Sequence, residues 1–166
     1  MSLSGWPLAA LASPSMSDQA TQRAIIHATP ERCFEVAIDF ERYPAWASDI
    51  KSATVLTRTD DGRGGEVEFR AAAMGRSTLY ALRYNYGSNP LRVSWRLMRG
   101  DLMTRLDGEY EFAAIPDEPN STQVTYYLSV DLVVPLPGFV KRRAEARIMH
   151  TALDELKTAV EARAGV

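Results

Sequence analysis

The chain has 166 residues, of which 46% are hydrophobic and 24% charged, and its net charge is -2. This size suits one globular domain that buries roughly 70% of its unfolded surface, and the balanced charge excludes a general affinity for nucleic acid, so no nucleic-acid partner is expected. The single cysteine, Cys33, excludes an internal disulfide and favours a reducing cytoplasm, and no run approaches the roughly 18 apolar residues of a membrane span.

Residues 1–17 are interpreted as a tail outside the domain. The stretch from Met1 to Met16 has no charged side chain and contains two prolines. A signal peptide would need a basic start and a longer apolar core, although Ala10-Leu11-Ala12 is similar to a cleavage site. We expect this segment to be disordered, an expression remnant or an over-extended start with Met16 as the initiator. A single domain is then predicted over residues 18–166.

The domain begins with a strand and two short helices. β-branched residues predict a strand over residues 19–27. Thr29 is a favourable N-cap residue and is followed by proline, so a helix is predicted over residues 30–38. A second short helix is predicted over residues 40–47, around the sequence Tyr43-Pro44-Ala45-Trp46.

Six further strands are predicted, because turn residues separate segments of alternating apolar and polar side chains. Their predicted ranges are 50–59, 66–74, 76–86, 91–98, 103–115 and 122–134. A polar loop is expected over residues 116–121 and a β-bulge at Asp107-Gly108. The alternation gives each strand one dry and one wet face. The sequence therefore predicts an α+β fold with a seven-stranded antiparallel sheet.

A long amphipathic helix is predicted after the sequence Pro135-Leu136-Pro137-Gly138, over residues 138–163. Its apolar stripe needs a partner, and the dry face of the sheet is the one available. The stripe consists of Met149, Ala152, Leu153, Leu156 and Val160. Because the inward side chains include many Tyr and Trp, and a curved sheet pulls away from a straight helix, a ligand cavity is one interpretation of the interior. The other interpretation is a core filled by these aromatic rings.

Four segments carry a family resemblance: residues 37–46 (AIDFERYPAW), 90–95 (PLRVSW), 107–110 (DGEY) and 136–139 (LPGF). In this order, over residues 19–163, they resemble the START-like superfamily, also called SRPBCC or Bet v 1-like. The closer resemblance is to its polyketide cyclase/dehydrase and coenzyme Q-binding-protein branch. It implies a helix-grip fold, in which a curved sheet wraps on the C-terminal helix. It also implies a hydrophobic small-molecule partner, such as a lipid, an isoprenoid quinone or a polyketide, and many members are not enzymes.

Strand alternation and the helix stripe select the candidate ligand-binding residues. They are Trp46, Phe69, Tyr84, Trp95, Tyr110, Phe112, Tyr126, Met149 and Leu153. The sequence contains no known catalytic motif. The remaining possibility is that a phenol polarises a substrate carbonyl by hydrogen bonding, and the weak catalytic candidates for this role are Tyr84, Tyr110 and Tyr126. Two histidines are too few for a histidine-rich metal site, so no metal and no cofactor are expected.

A basic cluster follows the start of the last helix. Lys141, Arg142 and Arg143 come directly after the apolar Phe139 and Val140. Cations at a helix N-terminus oppose the macrodipole, so Phe139 and the three basic residues are predicted to contact an anionic partner. A phospholipid surface, met transiently during ligand exchange, is the natural candidate, and it would make the cytoplasmic protein peripheral at the membrane. The alternative is a solvated basic face.

Three function classes stay open. A binding or carrier protein for a hydrophobic small molecule is favoured because the inner face is apolar and catalytic groups are few. A polyketide cyclase, aromatase or dehydratase that uses pocket tyrosines is the alternative. A protein-interaction module, like the ribosome-associated members of a related toxin branch, is the third. The sequence predicts no oligomeric state.

Overall fold

The structure, a computed structural model, describes residues 19–73 and 75–164. The predicted tail over residues 1–17 lies outside the described residues. The elements in chain order are β1 (Ala20–Ile26), α1 (Pro30–Ala37), a 3₁₀ turn (Phe40–Arg42), α2 (Tyr43–Trp46), β2 (Ile50–Arg58), β3 (Gly64–Ala73), β4 (Arg76–Gly87), β5 (Leu91–Gly100), β6 (Met103–Ile115), β7 (Glu118–Leu132) and α3 (Gly138–Ala164).

The seven strands form one antiparallel sheet in the order β1-β7-β6-β5-β4-β3-β2. Strands β2 to β7 follow one another as a meander, and β1 returns to pair with β7 from Ala20↔Leu128 to Ile26↔Thr122. The long helix α3 packs across the inner face of this sheet, and α1 and α2 follow β1. This arrangement confirms the predicted α+β class and the helix-grip fold with two short helices after the first strand.

Helix α1 starts where the sequence predicts. The Thr29 hydroxyl accepts a hydrogen bond from the Arg32 backbone N–H at 3.2 Å. Pro30 occupies the first turn, where a backbone N–H would have no partner within the helix, so its absence in proline costs nothing. The helix ends at Ala37 and buries one face against the sheet. The N-cap and the proline together place Phe34 over the strands, where it fills the interior.

Two details of the predicted sheet are wrong. The expected loop over residues 116–121 is a tight turn, because Asp117 adopts a left-handed backbone conformation (φ 67°) and Ile115 already pairs with Glu118. The expected bulge at Asp107-Gly108 does not occur in the β6–β7 pairing, whose register shifts lie near its two ends. Strand β7 is therefore longer than predicted, and the inward alternation of β6 is kept.

Strands β5 and β6 separate at Gly108. Their paired residues end at Trp95↔Gly108, and beyond that point the Asp107 carboxylate accepts from the Leu97 backbone N–H at 3.1 Å. The Trp95 indole lies directly on Gly108, where an added Cβ would meet Trp95 Cζ2 at 2.4 Å and the Tyr127 carbonyl oxygen at 2.8 Å. A glycine at this position is therefore required for the Trp95 ring to lie flat on the inner face.

Helix α3 is held along the β1 and β7 side of the sheet. Four of the five residues of its predicted stripe are buried, with Met149, Leu153, Leu156 and Val160 at most 4% exposed, and the fifth, Ala152, is partly buried. Two polar contacts reinforce it at β1 and the residue after it: Lys157 Nζ donates to the Ile25 carbonyl at 2.8 Å, and the His27 backbone N–H donates to Glu161 at 2.9 Å. On β7, the buried Glu145 carboxylate accepts from the Val130 backbone N–H at 3.2 Å. The helix thus leaves the β2–β4 side of the inner face uncovered.

Replacing Gly108 by alanine tests this packing. The new methyl group would overlap an indole and a backbone carbonyl, so we expect Gly108→Ala to lower the free energy of unfolding by roughly 1–3 kcal/mol. The matched control is Gly138→Ala, whose Cβ would meet only the flexible end of Arg142, with an expected change below about 0.5 kcal/mol. Urea unfolding measures both, and equal stability of the two variants would contradict the role of Gly108.

Candidate functional site

The interior is solid under α1. Phe34 packs edge-on against Phe112 with ring centroids 5.9 Å apart, and Phe112 and Val36 are buried between α1 and the sheet. On the helix α3, Leu156 and Val160 close the same region. This half of the space between sheet and helix is a conventional hydrophobic core.

The other half is hollow. A cavity of about 660 Å³ lies between α2, the inner face of the sheet and the N-terminal half of α3, a volume within the usual range for small-molecule sites. Eight aromatic residues line it: Tyr43, Trp46, Phe69, Tyr80, Tyr84, Trp95, Tyr110 and Tyr126. The hollow exists because α1 fills only one side of the curved sheet and α2, with four residues, is too short to fill the other.

Six of the nine predicted ligand-binding residues lie on the cavity wall. They are Trp46, Phe69, Tyr84, Trp95, Tyr110 and Tyr126. The structure does not place Phe112, Met149 and Leu153 there, although they face inward as predicted. Phe112 lies under α1, and the two α3 residues belong to the buried stripe that holds the helix on the sheet. Whether the six wall residues bind a ligand stays a prediction.

Several wall residues were missed by the sequence interpretation. Tyr80 and Thr78 share the inner face of β4 with Tyr84. Extending the strict alternation back along this strand from Tyr84 would therefore have predicted that both face inward. Tyr43 reaches the cavity from α2. A helix of four residues is too short to show a periodic apolar face, so the sequence pattern could not predict that Tyr43 points inward. The polar residues Asp49 and Arg147 also border the cavity, and nothing in the sequence pattern singles them out.

The aromatic rings touch one another in a continuous series along the sheet. Tyr110 and Tyr126 are 4.5 Å apart between ring centroids, and Trp95 lies 5.5 Å from Tyr110 and 5.9 Å from Tyr84. At the other end, Phe40 contacts Tyr84 at 4.3 Å. Tilted and edge-on pairs at these distances stabilise one another and limit ring movement. The cavity therefore has a preformed wall.

Most of the cavity phenols have hydroxyl groups without a partner. Tyr43 donates to the Ala37 carbonyl, but the hydroxyls of four tyrosines make no hydrogen bond to any described residue: Tyr80, Tyr84, Tyr110 and Tyr126. The buried indole N–H of Trp46 also has no partner among them. For the buried indole N–H of Trp46, the lack of an acceptor is unfavourable by about 1–3 kcal/mol. These groups are consequently ready to donate to acceptor atoms of a bound molecule.

Burial keeps the cavity phenols neutral. Desolvation by burial, and to a smaller extent the neighbouring tyrosines, raises the pKa of Tyr84 and Tyr126 well above the ordinary value of 10. Burial also raises the pKa of Tyr110 well above 10, with smaller contributions from Tyr43 and Glu155. A phenol with a raised pKa keeps its proton at neutral pH and donates hydrogen bonds. The three weak catalytic candidates are therefore protonated phenols at neutral pH, and they are poor bases.

The mouth of the cavity lies between the sheet and α3. Exposed wall residues mark it: Asp49 and Gly75 on the sheet side, and Arg147 and Ile148 on the helix. Glu155 spans this gap, because its carboxylate accepts from both the backbone N–H and the hydroxyl of Ser48. These hydrogen bonds hold the segment after α2 against the helix and limit the width of the opening.

Other reactive side chains lie away from the cavity. Desolvation raises the pKa of the buried Cys33 thiol to about 11, so the thiol is unreactive at neutral pH. His27 faces Ser121 at 3.4 Å, and His150 is exposed on α3. Within residues 19–73 and 75–164, no group of His, Cys, Asp or Glu has an arrangement that would hold a metal ion. In the same ranges, no helix is long and apolar enough to cross a bilayer.

Residues 17–161 match the protein family described as polyketide cyclase / dehydrase and lipid transport. The chain belongs to this family. No curated protein matches it significantly.

Solved structures share the fold of this family member. A START superfamily protein from Mycobacterium smegmatis has a TM-score of 0.81 and 23% identity, over 87% of this chain and 97% of its own. A protein from Thermus thermophilus has a TM-score of 0.72 and 23% identity, with 87% and 98% covered. The ZhuI aromatase/cyclase from Streptomyces sp. R1128 has a TM-score of 0.75 and 13% identity, with 88% and 94% covered.

The neutral phenols make the fold sensitive to alkali. The unfolded chain loses its phenolic protons near the ordinary value of 10, whereas folded Tyr84, Tyr110 and Tyr126 keep theirs. Their stabilising effect is complete below about pH 10 and is lost as the pH rises, by up to about 1.4 kcal/mol per pH unit for each tyrosine. Urea midpoints should be constant to about pH 9 and then fall. Phenolate absorbance from these residues before any loss of circular dichroism would contradict their burial.

Proposed function

We propose that this protein binds a hydrophobic small molecule in the cavity between sheet and α3 and acts as a carrier or binding protein. The observation that carries the proposal is the preformed aromatic cavity of about 660 Å³. Its family is described as polyketide cyclase / dehydrase and lipid transport, and both activities named there need a site for an apolar molecule. Lipids, isoprenoid quinones and polyketide-like compounds are the ligand classes proposed.

The chemistry of the wall favours a ligand with several oxygen acceptors on an apolar body. Phenol and indole donors from Tyr84, Tyr110, Tyr126 and Trp46 point to carbonyl or ether oxygens as partners, and the rings between them favour flat or branched apolar surface. Binding of such a molecule would satisfy donors that the protein alone leaves unpaired, and this difference is a source of affinity.

The scarcity of proton acceptors favours binding over catalysis. Two carboxylates border the cavity: Glu155, already occupied by Ser48, and Asp49 at the exposed mouth. General base catalysis needs an acceptor within hydrogen-bond distance of the reacting proton. With neutral phenols along the inner wall, the site is better equipped to hold and orient a molecule than to remove a proton from it.

A cavity-filling substitution tests the binding function. Ala71 lies on β3 at the cavity wall and is 5% exposed, so Ala71→Phe would occupy the space proposed for the ligand. We expect native mass spectrometry to detect a co-purified hydrophobic ligand on the wild type, and Ala71→Phe to weaken its binding at least tenfold. The control is Ala162→Phe, on the exposed side of α3. Equal ligand occupancy in both variants would contradict binding in this cavity.

A polyketide cyclase or dehydratase is the second candidate function. The observation in its favour is the pair of neutral phenols Tyr110 and Tyr126, with ring centroids 4.5 Å apart and both hydroxyls free to polarise a carbonyl.

If the protein cyclises a poly-β-ketone, Tyr110→Phe and Tyr126→Phe should each lower the single-turnover rate about tenfold to a hundredfold while the substrate still binds. Tyr127→Phe, on the outer face of β7, is the control. Product formation at the wild-type rate in both cavity variants would exclude these phenols as proton donors.

A further inference from the structure

Exposed apolar side chains concentrate at one end of the molecule. Val133 and Val134 are 57% and 70% exposed in the segment between β7 and α3, and Phe139 in the first turn of α3 is 61% exposed. Within the described residues, the other large exposed apolar residues are Ile25, Leu56 and Ile148, which lie apart on β1, on β2 and on the opposite face of α3 from Phe139. Single exposed apolar residues are normal, whereas a cluster indicates a contact surface.

The same end carries cations that the protein does not neutralise. Arg142 and Arg143 are exposed and make no ion pair with any described residue. Lys141 differs, because its ammonium group bonds to Asp131 at 2.8 Å, and Arg105 contacts the same carboxylate at 3.1 Å. Lys141 of the basic cluster therefore already has an intramolecular ion pair, whereas the two arginines beside it have none within the described residues.

This end adjoins the mouth of the cavity. Arg143 lies one helical turn before Arg147, which is exposed and borders the cavity. Phe139, Arg142 and Arg143 themselves do not line the cavity. A contact made here would therefore cover or border the opening without altering the ligand-binding wall itself.

We propose that this end docks on a lipid bilayer that contains anionic headgroups. The docking surface consists of Val133, Val134, Phe139, Arg142 and Arg143. Its phenyl and aliphatic side chains project from a loop and a helix surface, as in segments that enter the interfacial region of a bilayer. Its guanidinium groups complement lipid phosphates, with which arginine forms charge-assisted hydrogen bonds.

Docking in this orientation places the cavity mouth against the membrane. A hydrophobic ligand then passes between bilayer and cavity without crossing water, and this consequence rests on the proposed ligand-binding function. The docking itself does not, because its residues are separate from the cavity wall.

Vesicle flotation tests the docking surface. The full chain is mixed with vesicles of phosphatidylcholine alone or of phosphatidylcholine with phosphatidylglycerol. We expect the wild type to float with the mixed vesicles and to be released by high salt. Arg142→Ala/Arg143→Ala should weaken partitioning about fivefold for each arginine removed, and Phe139→Ser should weaken it on both kinds of vesicle.

Matched controls separate this surface from general effects. Arg23→Ala/Arg96→Ala removes two exposed arginines on the sheet, and Leu56→Ser removes an isolated exposed leucine on β2. Both controls should float like the wild type. All variants should keep the wild-type thermal midpoint, and Arg142→Ala/Arg143→Ala should retain a ligand in native mass spectrometry, so that failure of docking is distinguishable from failure of ligand binding.

Three outcomes would overturn the proposal. The first is equal flotation of the wild type and Arg142→Ala/Arg143→Ala. The second is no flotation of the wild type together with a dimer in light scattering that Phe139→Ser dissociates, which would assign the surface to a second copy of the chain. The third is no flotation together with salt-sensitive binding to an acidic carrier protein, which would assign it to a protein partner.

Discussion

The cavity depends on where α3 is attached. Lys157 ties the helix to the backbone of β1, Glu161 to the residue that follows β1, and Glu145 to β7, with the buried stripe packed between these contacts. Because a nearly straight helix is held along one side of a curved sheet, it departs from the strands on the other side. Helix α1 fills the space under the C-terminal half of α3, and no comparable element fills the space under its N-terminal half.

The hollow side is lined by aromatic side chains with polar ends. Aliphatic residues there would give an apolar cavity suited to hydrocarbon chains alone. Tyr80, Tyr84, Tyr110 and Tyr126 instead add hydroxyl donors that burial keeps protonated. Rings in contact hold each hydroxyl in place, so the donors are oriented before any ligand enters. Such preorganisation favours affinity, since little order is lost on binding.

The residues around the mouth control how a ligand can reach this cavity. Glu155 holds the segment at Ser48 against α3 and narrows the opening from the α2 side. The exposed Phe139 and the unpaired Arg142 and Arg143 lie toward the start of the same helix, beyond the opening. Helix α3 therefore has three roles along its length. Its C-terminal half packs on the core, Glu155 near its middle restrains the opening, and its N-terminal end carries part of the proposed docking surface.

The sequence alone determined the elements and their faces. Alternation along the strands and the period of the α3 stripe are local properties, so they predicted the antiparallel sheet, the inward direction of Tyr110 and Phe112, and the burial of Met149. Tertiary structure decided what covers each inward residue: Tyr110 borders the cavity while Phe112, two residues along the same strand, lies under Phe34. It also decided that Lys141 pairs with Asp131. Both outcomes depend on residues distant in the chain, and no local period carries that information.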